Sequence, residues 1–114
     1  MIVGELYQVK SHYWLMFASL EIMAKNKEFL QNLSLTHSGA TNFANHYSNR
    51  LNCKVDVISE NDVFALLEIQ EYKRNTNSIC ASDNSNFVKV LSINGDFGWM
   101  IVPCSGFYCF KLLK

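Results

Sequence analysis

The side chains that could perform chemistry in this sequence are three histidines, four cysteines and a group of carboxylates on one segment. They are His12, His37 and His46; Cys53, Cys80, Cys104 and Cys109; and Asp56, Glu60, Asp62, Glu68 and Glu71. Paired carboxylates can bind a divalent cation or transfer protons, and a histidine beside a thiol can activate a nucleophile. None of these residues shows the fixed spacing that such sites require. The pattern favours exposed histidines, and carboxylates that form turns and keep strand surfaces hydrated.

The cysteine spacings match no zinc ribbon or zinc finger, and the sequence contains no Cys-x-x-Cys motif. Buried or free thiols in a reducing compartment are the favoured interpretation. The alternative is a disulfide or a metal site that uses Cys104 and Cys109. The glycines form no phosphate-binding loop. We therefore expect no enzyme activity, no cofactor and no metal.

The chain has 114 residues and a formal net charge of zero, with ten basic and ten acidic side chains. This length predicts one domain over residues 1–114, with a core that needs neither metals nor disulfides. The neutral charge makes a nucleic-acid partner improbable without excluding it, because phosphates require cationic surface. No signal peptide or apolar run long enough to span a bilayer is recognisable, so we expect a cytoplasmic protein without membrane contact.

The clearest structural pattern is the segment 88–102, in which two apolar runs flank Asn94 and Gly95. This dipeptide is typical of a two-residue β-hairpin loop. Such a loop would place Val90 opposite Trp99 and Val88 opposite Ile101. One face would then carry Val88, Val90, Phe97, Trp99 and Ile101, and this set is expected to face the core. Gly98 indicates a bulge or a close backbone approach.

Strand patterns occupy most of the remaining sequence. Strands are predicted over residues 4–10, 13–17, 54–58, 63–72 and 107–113. The polar turn 59–62 predicts a second hairpin, with Ile58 opposite Val63 and Val57 opposite Phe64. Residues 74–86 are polar and are expected to form a long loop, and Pro103 ends the second strand of the first hairpin.

Residues from about 19 to 52 are helical in character and interrupt the strands. Ser19 is a predicted helix start, and Lys25-Asn26-Lys27 is expected to end a short helix. Ser38-Gly39 is a predicted break. From Thr41, a predicted cap, Phe43, Tyr47 and Leu51 fall on one stripe together with Ala44, which predicts an amphipathic helix of about three turns.

Aromatic side chains are the main candidates for a binding surface. We select Tyr7, Tyr13, Trp14, Trp99 and Tyr108 as candidate partner-binding residues, with burial in the core as the alternative for each. Lys73 and Arg74 form the one basic dipeptide beside the long polar loop, and they could contact phosphate.

Several of these segments carry a resemblance to a known family. The sequence Val88-Lys89-Val90-Leu91, then Asn94-Gly95-Asp96 and Gly98-Trp99-Met100, with Phe107-Tyr108 after it, resembles the C-terminal half of SH3-like barrel domains of bacterial and phage type. The opening Val3-Gly4-Glu5-Leu6-Tyr7 is similar to the start of such domains. The resemblance covers about a third of the chain and implies binding rather than catalysis. The helical segment 19–52 departs from it.

The sequence thus predicts a mainly β (α+β) protein, a small SH3-like barrel with a helical insertion at about residues 19–52. The favoured function is a non-enzymatic interaction or structural domain that binds a protein partner or forms a homo-oligomer. The alternatives are a nucleic-acid-associated accessory protein, which requires Lys10, Lys54, Lys73, Arg74 and Lys89 to share one face, and a small hydrolase, which requires a pocket that joins a histidine or cysteine to carboxylates.

Overall fold

The protein is built on one antiparallel β-sheet. The computed structural model describes residues 2–26, 37–72, 85–103 and 109–113. Its strands are β1 (Leu6–Val9), β2 (Trp14–Phe17), β3 (Val55–Ile58), β4 (Val63–Tyr72), β5 (Ser85–Ser92), β6 (Phe97–Pro103) and β7 (Phe110–Leu113). Its helices are α1 (Leu20–Lys25) and α2 (His37–Leu51). The protein is therefore mainly β, as predicted, and both helices fall within the predicted insertion.

The sheet curls into a half-barrel whose strand order is β3-β2-β6-β5-β4-β1-β7. The curl brings strands from opposite ends of this order together. The rings of Trp14 on β2 and Phe110 on β7 lie 4.9 Å apart between centroids, although four strands separate them in the sheet. The concave face thus encloses a core that all seven strands share.

The inner core consists of the side chains on the concave face. It contains Tyr7, Val9, Met16, Ile58, Phe64, Leu66, Val88, Val90, Met100, Val102, Cys109 and Phe110. Alternation along each strand selects this set, because every second side chain points to the same face. The Phe64 ring meets the Phe110 ring edge to face, with centroids 5.5 Å apart. This close aromatic packing joins β4 to β7 across the interior.

The two helices cover one part of the convex face. Met23 of α1 and Ala44 of α2 pack with Phe17, Val55 and Phe87 in a second apolar cluster. Leu15, Leu20, Ala24, Tyr47, Leu51, Val57, Trp99 and Ile101 surround it. The predicted stripe on α2 is confirmed for Ala44, Tyr47 and Leu51, which belong to this cluster. Phe43, the fourth residue of the stripe, instead stacks on Tyr47, with ring centroids 4.2 Å apart. Strand β2 therefore has apolar neighbours on both faces.

Local signals set the helix ends only in part. Ser19 caps α1 as predicted, and its Oγ accepts a hydrogen bond from the Ile22 N–H at 3.3 Å. The helix ends at Lys25, also as predicted. The predicted break at Ser38-Gly39 is wrong, because both residues lie inside α2. Thr41 therefore lies within the helix rather than capping it.

The predicted register of the β5–β6 hairpin is wrong by one residue on one strand. The loop has three residues, 93–95, and the Ser92 N–H donates to the Asp96 carbonyl at 2.9 Å. Gly95 takes a φ of +84° and its N–H donates to the Ser92 carbonyl at 3.0 Å, the arrangement of a type I turn followed by a left-handed residue. Trp99 consequently pairs with Lys89 instead of Val90.

This shift reverses the face of every β6 side chain, because side chains alternate with a period of two. Val88 and Val90 face the inner core as predicted, but their partners there are Met100 and Gly98. Phe97, Trp99 and Ile101, which were expected beside them, lie on the convex face. The prediction of a single core face for all five residues is therefore wrong for the three on β6.

The prediction that Gly98 marks a close backbone approach is confirmed. A Cβ atom at this position would lie 2.2 Å from Met16 Cγ and 3.2 Å from the Phe17 carbonyl oxygen. Strand β2 pairs antiparallel with β6 at this point, where Phe17 lies opposite Trp99. Glycine is required because any side chain would occupy the space of Met16.

The predicted second hairpin is absent, since β3 pairs with β2 and β4 pairs with β1 and β5. Residues 59–62 do form a turn, in which the Asp62 N–H donates to the Ser59 carbonyl at 3.0 Å. The turn is bound to the end of β1, because the Asn61 N–H donates to the Val9 carbonyl and the Val9 N–H donates to the Asp62 carbonyl. It therefore carries the chain from one edge of the sheet to its other half.

Strand β3 is an edge strand, and helix α2 covers part of its free edge. The Ser48 hydroxyl accepts a hydrogen bond from the Val55 N–H at 3.0 Å and lies 3.3 Å from the Val55 carbonyl, to which it donates. One hydroxyl thus replaces the backbone of a neighbouring strand at this residue. Such protection reduces unwanted pairing at a sheet edge.

Of the remaining sequence predictions, some agree with the structure and others concern residues outside the described ranges. Strand β4 has the predicted bounds, and Pro103 is the last residue of β6. Most of the predicted loop 74–86 lies outside the described residues, but residues 85 and 86 belong to β5. Residues 107 and 108 of the predicted last strand also lie outside the described residues.

We expect the substitution Gly98→Ala to destabilise the protein by about 1–3 kcal/mol, because the new methyl group overlaps Met16. Urea unfolding measures this change. The double variant Met16→Ala/Gly98→Ala should cost less than the sum of the two single substitutions, since removing the Met16 side chain frees the space. Additive costs would contradict the close approach.

We expect Ser48→Ala to destabilise the protein by about 1–2 kcal/mol, because the Val55 backbone loses both bonds to the hydroxyl. Hydrogen exchange should accelerate at the Val55 amide more than at the amides inside β5. Ser48→Thr keeps the hydroxyl and serves as the control. Unchanged Val55 exchange in Ser48→Ala would contradict the edge-covering role.

Candidate functional site

Five apolar side chains form a continuous row on the convex face of the sheet, which we call the outer apolar row. Strand pairing places them side by side on five neighbouring strands: Phe97 on β6, Leu91 on β5, Ala65 on β4, Leu6 on β1 and Leu113 on β7. Directly paired residues point to the same face of a sheet. The row therefore crosses most of the half-barrel from β6 to the edge strand β7.

The outer apolar row is open to solvent at two of its large side chains. Phe97 is 59% exposed and Leu6 is 48% exposed, while Leu91, Ala65 and Leu113 are half-buried. Isolated exposed apolar residues are common on proteins, but contiguous ones indicate a contact surface. These five are contiguous in the sheet.

The row borders the part of the convex face that the helices cover. Trp99, two residues after Phe97 on β6, packs against the second apolar cluster, which the two helices cover. The Lys89 ammonium lies 5.8 Å from the centre of the Phe97 ring and 5.9 Å from that of Trp99. A cation at this distance is attracted to aromatic rings. Lys89 therefore connects the covered part of the face to the open row.

A second feature is a cleft of about 200 Å³ between β3, the start of β4 and the tip of the β5–β6 hairpin. Its walls are apolar and acidic: Met16, Asp56, Val57, Ile58, Asp62, Val63, Ser92, Ile93, Asn94 and Asp96. Asp62 also stabilises the turn beside it, since its Oδ2 accepts a hydrogen bond from the Ser59 N–H at 2.8 Å. This bond confirms the turn-forming role that the sequence indicated for Asp62.

Lys54 forms ion pairs with two of these carboxylates. Its Nζ lies 3.6 Å from Asp56 Oδ2 and 3.4 Å from Asp96 Oδ2. The charges of Asp56 and Asp96 raise the pKa of Lys54 above its ordinary value. All three side chains are substantially exposed, so the pairs are screened by solvent. Their role is to connect the hairpin tip to β3.

The described aromatic residues predicted to bind partners do not share one surface. Tyr7 is 5% exposed and belongs to the inner core, so its ring is not available to a partner. Trp14 packs against the same core, and its Nε1 donates to the Ser11 carbonyl at 3.2 Å. Trp99 lies half-buried on the convex face, and Tyr13 is half-buried just before β2. Tyr108 lies outside the described residues.

The basic residues required for a nucleic-acid surface have separate surroundings. Lys54 is held by two carboxylates, and Lys89 stands on the convex face beside two rings. Lys10 follows β1, and its N–H donates to the Cys109 carbonyl. Lys73 and Arg74, predicted to contact phosphate, lie outside the described residues.

The residues required for catalysis are also separate where the structure describes them. Among the described residues, no histidine or cysteine lines the cleft. Over residues 2–26, 37–72, 85–103 and 109–113, no three His, Cys, Asp or Glu side chains lie together as metal ligands would. Cys53 and Cys109 are buried free thiols, while Cys80 and Cys104 lie outside these ranges. No helix among the described residues is long and apolar enough to cross a membrane.

The sequence patterns did not single out Leu6, Leu91 or Leu113 as binding candidates, and they assigned Phe97 to the core. Their types gave no warning, because leucine and phenylalanine on strands usually indicate core. The signal that could have identified Phe97 is the loop length. Counting Gly95 as a third loop residue places Phe97 opposite Leu91, on the face away from Val88 and Val90.

We expect Lys54→Gln to lower the urea midpoint of unfolding slightly at low ionic strength, because two ion pairs are lost. The difference from the unmodified protein should shrink in 1 M salt. It should also shrink as the pH rises through the raised pKa of Lys54, because a group with a raised folded-state pKa stabilises the fold only while protonated. A difference that persists in 1 M salt and above the raised pKa of Lys54 would contradict an ionic role.

Comparisons with known proteins assign no function to this chain. No family model, no curated protein and no solved structure matches the chain. The outer apolar row and the acidic cleft are therefore interpreted from their own residues alone.

Proposed function

We propose that this chain is a non-enzymatic interaction domain that binds a protein partner through the outer apolar row. The observation that carries the proposal is the exposure of Phe97 and Leu6 within one contiguous row of five apolar residues. Burying such side chains against a partner is favourable by roughly 25 cal/mol per Å² of apolar surface removed from water. Partner binding would thus remove the exposed apolar surface from water.

We also propose that the half-barrel is an SH3-like barrel that carries a helical insertion. The curled antiparallel sheet and its shared inner core support this assignment. Strand β7 continues the sheet beyond β1, and the helices pack outside the barrel. The insertion then serves to cover Phe87, Trp99 and Ile101, so the row beside it is the part of the convex face left for a partner.

A photo-crosslinking phenylalanine analogue at position 97 tests the proposed function in the cells from which the sequence derives. We expect it to form a protein adduct at least about fivefold more efficiently than the same analogue at Asn45, because interface apolar side chains make close contacts. Asn45 is exposed on α2 and serves as the control.

Adding the substitution Leu6→Ser to the crosslinking chain should reduce the adduct formed at position 97, because Leu6 belongs to the same row. Circular dichroism checks that this variant remains folded. Equal crosslinking at positions 97 and 45 would contradict a binding role for the outer apolar row.

A further inference from the structure

We propose that the partner segment bound by the outer apolar row is an amphipathic α-helix of about three turns, aligned with β4. This inference rests on the proposed function, and it adds the shape and chemistry of the bound segment. It depends on the relief of the row, on the helices already packed beside it, and on the area that the row offers.

The relief of the row is a shallow trough along β4. Ala65 lies at its centre, paired on one side with Leu91 and on the other with Leu6. A single methyl group thus stands between larger side chains on both neighbouring strands. The trough continues to Val63, two residues away on the same face, where the β1 neighbour is Gln8. Its floor is therefore apolar at Val63 and Ala65.

The dimensions of the trough fit a helix. Two strand spacings separate β5 from β1, which gives a width of about 10 Å. This is close to the diameter of an α-helix with its side chains. From Val63 to Glu68 this face of β4 is about 17 Å long, which corresponds to roughly 11 helical residues. It is apolar at Val63 and Ala65 and acidic at Glu68. Apolar side chains at positions i, i+3, i+4 and i+7 would lie over Ala65 and Val63.

The chain already binds helices on the adjoining part of this face. Leu20 and Met23 of α1, and Ala44 and Tyr47 of α2, pack in the cluster that contains Trp99. Trp99 is two residues from Phe97 on β6, so the outer apolar row continues an existing helix–sheet interface. A helical partner would extend this packing by the same chemistry.

The charges at the borders of the trough favour a helix with charged flanks of both signs. Glu68 is exposed at one end of the floor, and Lys111 is exposed on β7 near the other. Lys89 borders the trough beside Phe97. An amphipathic helix presents basic and acidic side chains on either side of its apolar stripe, and can therefore pair with all three.

The area of the row disfavours a second copy of the chain as the occupant. Five strands at about 4.8 Å spacing and two to three residues along each give a face of roughly 200 Å². A stable protein interface usually buries about 800 Å² on each partner. An added strand is also disfavoured, because it would bind backbone groups at a sheet edge, whereas the row presents side chains on a face.

Two displayed libraries of 14-residue peptides with equal composition test the inference, one with helical apolar spacing and one with alternating strand spacing. Each is selected against the folded full chain. We expect enrichment from the helical library alone, and about tenfold weaker binding of the selected peptides to Phe97→Ser and to Leu6→Ser. The variant Ile2→Ser is the matched control, since Ile2 is exposed but precedes the strands, and its binding should be unchanged.

The substitution Ala65→Leu separates the shape of the trough from its apolar character. It adds apolar surface and fills the floor, so helix binding should fall although the hydrophobicity of the face rises. Enrichment from the strand library, or peptide binding that is insensitive to both Ala65→Leu and Phe97→Ser, would overturn the inference.

The crosslinking at position 97 distinguishes failure of this inference from failure of the proposed function. An adduct at position 97 with a second copy of the chain, or with a non-helical segment of another protein, would overturn the helical occupant and keep the interaction function. An adduct with a helical segment would support both. Loss of specific crosslinking at position 97 would overturn both.

Discussion

The register of the β5–β6 hairpin is the constraint on which the rest of the structure depends. Gly95 adopts a left-handed conformation as the third loop residue, and Ser92 pairs with Asp96. This single choice directs Met100 and Val102 to the inner core, and Phe97 and Trp99 to the convex face. It also places Gly98 beside the point where β2 pairs with β6, so that the Met16 side chain fills the space next to Gly98. A shift of one residue would exchange these environments.

The sheet supports two different surfaces because its convex face is only partly covered. Helices α1 and α2 bury Phe87 and pack against Trp99, and α2 also binds the free edge of β3 through Ser48. The helical insertion thus stabilises the half-barrel and limits strand pairing at one edge. Beyond the helices the face carries Ala65, Leu6 and Leu113 on β4, β1 and β7, with the polar Gln8 and Lys111 beside them. The outer apolar row is the continuation of an interface that the protein uses internally, which is why we assign it to a partner.

Local sequence patterns predicted the elements more successfully than their partners. The bounds of β4 and the Ser19 cap follow from neighbouring residues, and both are confirmed. The predicted β3–β4 hairpin failed because the turn at 59–62 is bound to Val9, a contact distant in sequence. The helix α2 also continues through Ser38-Gly39, although glycine disfavours the helix interior. Pairings of this kind are decided by the whole sheet, and a single strand pattern does not contain them.

The candidate site was predicted less well than the fold. Aromatic type selected Tyr7 and Trp14, which lie in or against the inner core, because the same side chains suit cores and interfaces. Leucines on strands gave no functional signal, and their exposure became evident only from the order of the strands. The function therefore depends on which face each strand residue occupies.

A nuclear Overhauser experiment on the β5–β6 hairpin tests this dependence most directly. Because Ser92 and Asp96 are a hydrogen-bonded pair, Leu91–Phe97 and Lys89–Trp99 are pairs without mutual backbone bonds, whose Hα atoms lie close together. The three-residue loop predicts strong Hα–Hα cross-peaks for these two pairs. Cross-peaks between the Hα atoms of Val90 and Trp99 would instead show a two-residue loop, return Phe97 to the inner face, and contradict both the outer apolar row and the function proposed for it.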